Sequence, residues 1–306
     1  MHRKNGKKRL QVRLAVYLLF LCLCTGLTAC TAGPADRDVR AEETEEPGGR
    51  GVGEKAEADG KVTDRERGGL DVWFFSCSDD ADSILLQVDE TNVIIDTGLE
   101  EDAGALAEKL KALDVERIDL MILTHPDKDH IGGAGLLLDT FEVGQIIQTA
   151  CIKDSVQQNR LNRKLEQESV LIPEEKQEFD YGKLHLTLFP PREAEYEEAN
   201  NYSIALLAEY EGRTFFFAGD AKKKRMKELL EEELPEVDVY KAACHGRDGG
   251  KSRELLACLS PCIVVVTAQE AEKKMDQALT EAGAEVYTTF GQDIHMTVTN
   301  GVLDVR

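Results

Sequence analysis

Between Leu120 and Gly133 the chain reads Leu-Met-Ile-Leu-Thr-His-Pro-Asp-Lys-Asp-His-Ile-Gly-Gly, and no other stretch limits the fold so tightly. An apolar run of strand character ends at Thr124. It breaks at once into a loop with four potential ligands, His125, Asp127, Asp129 and His130, within six residues. Imidazole nitrogen and carboxylate oxygen together suit a divalent ion such as zinc or manganese. Without a cation, such groups would be expensive to hold at a strand end. The two glycines that follow are expected where the backbone turns tightly. The chain must therefore bring a buried strand to an end at a metal site.

The first 29 residues stand apart. Arg3, Lys4, Lys7, Lys8, Arg9 and Arg13 precede an apolar core from Leu14 to Leu23, and small residues lead to Cys30. This is the pattern of an export signal. Leu27-Thr28-Ala29-Cys30 resembles a bacterial lipobox, which implies a lipidated Cys30 and a protein held on the outer face of the cytoplasmic membrane. Residues 30–69 are rich in Gly, Glu, Asp, Arg and Ala and nearly free of large apolar side chains, so they read as a flexible tether. The globular domain is expected over residues 70–306. The formal charge of −21 becomes more negative without the basic leader. Such a surface opposes nonspecific nucleic-acid binding.

Within the domain, strands are expected at 71–75, 84–88, 92–96, 145–149, 183–189, 203–210, 214–218, 237–243, 263–267, 285–289 and 294–299. Helices are expected at 100–114, 154–169, 222–234, 252–259 and 272–282. In the first of these, Ala103, Leu106, Leu110 and Leu113 form one apolar stripe, with acids at the positive end of the helix. Two series of strands followed by helices fit a layered α/β domain. Cys77, Cys151, Cys244, Cys258 and Cys262 have no zinc-knuckle spacing and are expected as free thiols. His185, His295 and Trp73 are expected to be structural.

His-x-Asp-x-Asp-His-x-Gly-Gly resembles the signature loop of the metallo-β-lactamase superfamily, with Asp127 where a second histidine usually stands. This variant is similar to the C-terminal hydrolase domain of the DNA-uptake protein ComEC and its free-standing relatives. The resemblance implies an αββα sandwich with metals at the loop end of two sheets. It also implies that Asp220, in Gly219-Asp220, bridges two metals, with His125 and Asp127 on one and Asp129, His130 and His245 on the other. Asp129 and Asp220 would be the catalytic carboxylates. Asp96, before Thr97-Gly98, would support the loop from behind. Asn200-Asn201-Tyr202-Ser203 matches the group's Asn-Asn-x-Ser, which sets Asn200 beside the first metal.

The implied activity is metal-assisted hydrolysis of a phosphodiester, with nucleic acid as the first candidate substrate; no protein partner is indicated. A β-lactamase or thioester hydrolase on the same fold is the alternative within enzymes. A binding module without turnover is the other. The last gains from two departures: Asp79-Asp80-Ala81-Asp82 replaces a Gly-Gln-Gly-Asp loop, and no Gly-His-Pro follows Thr267. Cys244 stands where relatives carry another histidine, and is expected to pack as core. Lys222, Lys223, Lys224 and Arg225 follow Asp220, and Lys241, Arg247, Lys251 and Arg253 bracket His245. They read either as a solvated charge run or as a basic rim that draws phosphate toward the metals, with Lys222, Lys223 and Arg247 as the candidate substrate contacts.

Overall fold

A computed structural model describes residues 68–306 apart from 152 and 167. The expected export signal, Cys30 and nearly all of the tether lie outside the described residues.

The first half builds β1 (Leu70–Phe74), β2 (Ile84–Val88), β3 (Thr91–Ile95), α1 (Ala103–Ala112), β4 (Arg117–Leu123), α2 (Lys128–Ile131), α3 (Ala134–Thr140), β5 (Glu142–Gln148), α4 (Val156–Leu165) and β6 (Val170–Leu171). The second half builds β7 (Gln177–Tyr181), β8 (Leu184–Phe189), β9 (Ala205–Tyr210), β10 (Arg213–Phe217), α5 (Lys223–Leu230), β11 (Val239–Lys241), α6 (Ser252–Leu259), β12 (Ile263–Val266), α7 (Lys273–Ala282) and β13 (Glu285–Thr288). The chain then returns to the first sheet as β14 (Ile294–Thr299) and β15 (Val302–Val305).

One sheet has the order β15-β14-β1-β2-β3-β4-β5-β6 and the other β13-β12-β11-β10-β9-β8-β7. Period-two alternation assigns the strand residues to layers. Leu120 and Ile122 of β4 meet Phe215 and Phe217 of β10 in the core between the sheets. Met121 and Leu123 face the other way, onto Leu106 and Leu110 of α1 and Leu161 of α4. Phe216 faces out from the second sheet, onto Met226, Leu255 and Leu279 of α5, α6 and α7. The result is helix, sheet, sheet, helix, the expected αββα sandwich. Burying each large apolar side chain contributes roughly 1.5–3 kcal/mol, so both sheets are held firmly on each face.

Strands β3 to β6 run parallel, as do β10 to β13. Loops leaving the carboxyl ends of parallel strands are where an open α/β sheet gathers its functional groups. Several boundaries differ from expectation. Helix α1 starts at Ala103 rather than Glu100, and Asp102 just before it accepts the Ser78 amide (3.0 Å) and hydroxyl (2.7 Å). Helix α5 ends at Leu230, before the acidic run. Helices α2 and α3 and strands β6, β7 and β15 were not expected. Among the described residues the five cysteines are free. No described helix is long and apolar enough to cross a membrane. His295 stacks on Trp73 (ring centroids 3.8 Å apart) and reaches Asp71 (2.6 Å), and His185 reaches Asp180 (2.7 Å). These histidines serve the sheets.

Candidate metal centre

The loop after β4 is held from behind by Asp96. Its Oδ1 accepts the Thr124 amide (2.8 Å), and its Oδ2 accepts both the Thr124 hydroxyl (2.7 Å) and Nδ1–H of His130 (2.7 Å). The carbonyl of His130 is gripped in turn by the amide (2.7 Å) and hydroxyl (2.9 Å) of Thr97. The glycines work differently from expectation. Gly132 has φ −58° and Gly133 φ −79°, ordinary for any residue. A Cβ on them would lie 2.4 Å from the Glu100 nitrogen and 2.2 Å from the Thr97 oxygen. They permit close backbone approach, and it is this approach that seats the loop on the Thr97–Glu100 turn.

From the second sheet, Gly219 (φ +52°) follows β10 and delivers Asp220, whose amide donates to the Ser203 hydroxyl (3.0 Å). Past β11, Cys244 (φ +50°) and His245 (φ +57°) both adopt left-handed backbone, followed by Gly246 (φ +89°). Two adjacent non-glycine residues in that region are strained, and such strain persists where the surroundings impose it. It swings His245 across to the loop of the first sheet.

Three histidines then present one pattern. Each Nδ1 is occupied by an oxygen: His125 by the Thr124 hydroxyl (3.2 Å), His130 by Asp96, and His245 by Asp82 (3.2 Å) and Thr267 (3.1 Å). Each Nε2 is buried without a hydrogen-bond partner, and so is Oδ1 of Asp220. These atoms converge. Oδ1 of Asp220 lies 3.2 Å from Nε2 of His245 and 3.5 Å from Nε2 of His130, and Asp129 Oδ2 lies 3.5 and 3.9 Å from the same nitrogens. On the other side, Oδ2 of Asp220 lies 3.9 Å from Nε2 of His125, which is 3.7 Å from Asp127 Oδ2. Asp220 thus stands between two groups, and all six predicted ligands come together although 120 positions separate His125 from His245.

The electrostatics follow from this crowding. Burial disfavours an imidazolium at His245, yet the charges of Asp82 and Asp220 prevail and push its pKa up to about 10. His130 is raised in the same way against burial, by Asp96 and Asp220. Burial would raise Asp220, but the imidazoliums of His130 and His245 hold it well below the carboxylate range. Asp129 is lowered despite burial, chiefly by the neighbouring imidazolium of His245. Asp127 is lowered by His125 first and then by Lys153, whose Nζ lies 2.8 Å from its Oδ1. This is the imbalance a divalent cation would relieve, since a metal takes the nitrogen that a proton otherwise holds.

The residues fit a metal. An unpartnered buried polar atom costs about 1–3 kcal/mol, and four of them share one space. The spacings bracket the edge of about 3.3 Å between donors on a tetrahedral ion with bonds near 2.0 Å. Nitrogen and carboxylate donors suit zinc or manganese. Cys244 is no ligand here: its thiol points to the Asp220 carbonyl (3.1 Å), and burial pushes its pKa up. Asn200 lies at the centre, its Nδ2 donating to Oδ2 of Asp220 (3.0 Å).

The candidate basic rim dissolves in part. Lys241 is 1% exposed and ion-paired to Asp82, and Arg225, equally buried, bonds the Ser203 carbonyl (2.8 Å), the Phe189 carbonyl (2.5 Å) and Glu228 (2.9 Å). Neither faces substrate. Lys222 reaches Glu198 (3.3 Å), Lys224 Glu193 (3.6 Å), Arg247 Asp80 (2.6 Å), Lys251 Glu254 (2.6 Å) and Arg253 Glu281 at the surface. Sequence reasoning gave no role to Asp82, Thr267 or Lys153. A signal existed for the first: a lysine inside the apolar strand β11 demands a buried acid.

A family model for the metallo-beta-lactamase superfamily matches residues 79–260. ComE operon protein 3 of Bacillus subtilis is 27% identical over 163 residues, 52% of this chain and 21% of that protein. Recombination protein 2 of Haemophilus influenzae is 24% identical over 180 residues, 58% of this chain and 21% of that protein. The chain thus spans about a fifth of the length of these curated relatives. Among solved structures, the metallo-beta-lactamase fold protein YhfI from Bacillus subtilis superposes with a TM-score of 0.51 at 15% identity, covering 78% of this chain and all of that one. That likeness speaks for the fold alone.

Proposed function

Because the chain belongs to the metallo-β-lactamase superfamily, we propose that it is a hydrolase that holds two divalent ions, zinc or manganese, and cleaves phosphodiester bonds. The observation that carries this is Asp220, set between His125 with Asp127 on one side and Asp129, His130 and His245 on the other. When bound, a pair of such ions supplies a water deprotonated near neutral pH and positive charge at both ends of a displacement at phosphorus. The chain's own groups do the rest. The oxygens on each Nδ1 fix the three imidazoles with Nε2 forward. Asn200 holds Oδ2 of Asp220 and sets the rotation of that carboxylate. Asp129, more open than the three histidines, stands where it can orient a water or take a proton.

A nucleic-acid substrate is favoured by Asp127, by the Asn-Asn-x-Ser match, and by a relative named for recombination. Lys222, Lys223 and Arg247 lie on the elements that carry Asp220 and His245 and are offered as substrate contacts; Lys222 and Arg247 would exchange their surface acids for phosphate. Anchoring through a lipidated Cys30 would place the reaction on the outer face of the cytoplasmic membrane. The second reading, a binding module without turnover, draws on the Asp80–Arg247 pair, which joins the altered loop to the segment after His245. Purified residues 31–306, analysed for metal and assayed on bis(p-nitrophenyl) phosphate, decide. About two ions per chain with metal-dependent turnover are expected. Bound metal with no turnover on this or an oligonucleotide supports the binding module, and absence of both metal and turnover removes the hydrolase reading.

A further inference from the structure

Asp82 is 1% exposed, and both its carboxylate oxygens are taken. Oδ2 pairs with Nζ of the equally buried Lys241, and Oδ1 accepts Nδ1–H of His245 at 3.2 Å. The backbone around it is fixed independently. Its amide donates to the Asp129 carbonyl (3.1 Å), and its carbonyl accepts the Gly98 amide (2.7 Å). The side chain therefore does not set the loop. It joins the β1–β2 loop of one sheet to β11 and His245 of the other.

Four groups, Asp82, His130, Asp220 and His245, offer donor atoms within 4.8 Å of one another, which would admit Asp82 as a ligand. Its side of the rings argues otherwise. Asp82 approaches His245 at Nδ1 and lies 3.8 Å from Nδ1 of His130, whereas Asp220 and Asp129 meet both rings at Nε2. An imidazole ligates an ion through one nitrogen and is oriented through the other. Asp82 is behind the rings.

We infer that Asp82, clamped by Lys241, is a positioning residue that holds Nδ1–H of His245 and aims its Nε2 at Asp220 and Asp129. The inference rests on the reading of His245 as a metal ligand. Holding the ring needs help because His245 sits on strained left-handed backbone and Thr267 supplies only a neutral acceptor (3.1 Å). Lys241 keeps the carboxylate charged and turned toward the ring. A buried pair of this kind is weak evidence of a stabilising role, since apolar replacement of both members is often neutral. A positional role explains why so costly a pair stands at this place.

The test follows from that asymmetry. Asp82→Leu alone would strand the Lys241 charge and can unfold the chain, so the informative variant is Asp82→Leu with Lys241→Met. Expected is a melting temperature close to the parent's and a 10–100-fold weaker binding of one zinc ion in a chelator competition. The ion held by His125 and Asp127 should keep its affinity. Asp82→Asn with Lys241→Met retains an acceptor and should fall between. A readout independent of metal is the His245 Nδ1–H resonance, slow to exchange in the parent and exposed to exchange in the apolar double variant. If the parent binds no ion, the metal reading fails while this resonance still decides the positional role. Parental affinity with an unchanged resonance overturns the inference. So does total loss of one ion with the fold intact, which would make Asp82 a ligand.

Discussion

Two sets of residues, the candidate ligands from His125 to His245 and the basic run Lys222–Arg225 that follows Asp220, are equally conspicuous in sequence and end differently. The ligands arrive from separate loops with buried atoms left unpartnered. The basic residues disperse: Arg225 turns inward to Glu228 and two carbonyls, and Lys222 and Lys224 stay outside on Glu198 and Glu193. The difference teaches that charge density alone does not make a site. What marks one is buried polar atoms that point together and have no other partner.

The largest effect should come from the atom that joins the two ligand groups. Asp220→Asn keeps volume but removes charge from both sides, so at least one ion should be lost. Phosphodiester turnover should fall on the order of 10³-fold or more. Metal content by mass spectrometry and steady-state rates check this. A variant that keeps both ions at parental affinity would show the convergence to be packing rather than ligation.

Arg225 breaks the comparison from the other side. Arg225→Ala removes the cation from the buried Glu228, which keeps only the Tyr196 hydroxyl and the Arg192 amide, and takes a donor from the Ser203 and Phe189 carbonyls; it should destabilise the fold by about 3–5 kcal/mol. Denaturant unfolding measures it. The protein that remains folded should bind metal normally, because Arg225 touches no ligand directly. Loss of metal without loss of stability would return Arg225 to the site.

Much of this is legible in the sequence. The continuous apolar runs Leu120–Leu123 and Phe215–Phe217 mark the central strands, and the resemblance singles out His125, Asp127, Asp129, His130, Asp220 and His245, whose side chains the fold brings close together. Three things were hidden. Strand β7 is an edge strand with Glu178 and Asp180 exposed and the other three residues only half-buried, so its sequence Gln-Glu-Phe-Asp-Tyr carries too little apolar signal. Helices α2 and α3 are four and seven residues long, stabilised by tertiary packing rather than by propensity. Asp82 and Lys241 are 159 positions apart, and only the meeting of the two sheets makes them one unit. In sequence Lys241 looks like part of the rim, because nothing local shows the acid that buries it.

The pH response sharpens the electrostatic half of the comparison. With no metal bound, Asp82 and Asp220 raise His245 to about 10, against burial, so its proton must leave before Nε2 can take an ion. Apparent zinc affinity should rise about tenfold per pH unit per proton released between pH 7 and 9, seen by calorimetry in two buffers. Stability has the opposite sign. A folded pKa above the unfolded value near 6.5 gives stability that is complete below 6.5 and lost as pH rises through about 10. Metal-free protein should therefore melt progressively lower from pH 7 to 10, and metal-loaded protein should not share this loss.

The smallest effect belongs to the lysines left on the surface. Lys222→Gln, Lys223→Gln and Lys224→Gln together remove two exposed ion pairs, each worth about 0–1 kcal/mol, so the melting temperature should barely move. Metal affinity should hold as well, since no ligand is touched. If these side chains meet an anionic substrate, KM for an oligonucleotide should rise several-fold while KM for a neutral ester stays put. The slope of log(kcat/KM) against log salt should flatten at the same time, because fewer phosphate contacts release fewer counterions. Equal changes on both substrates would leave the lysines as solvating charge. The anionic substrate would then have to be gripped elsewhere. Lys153 is the next place to look, because it already rests on Asp127 and an ion at that carboxylate would free it.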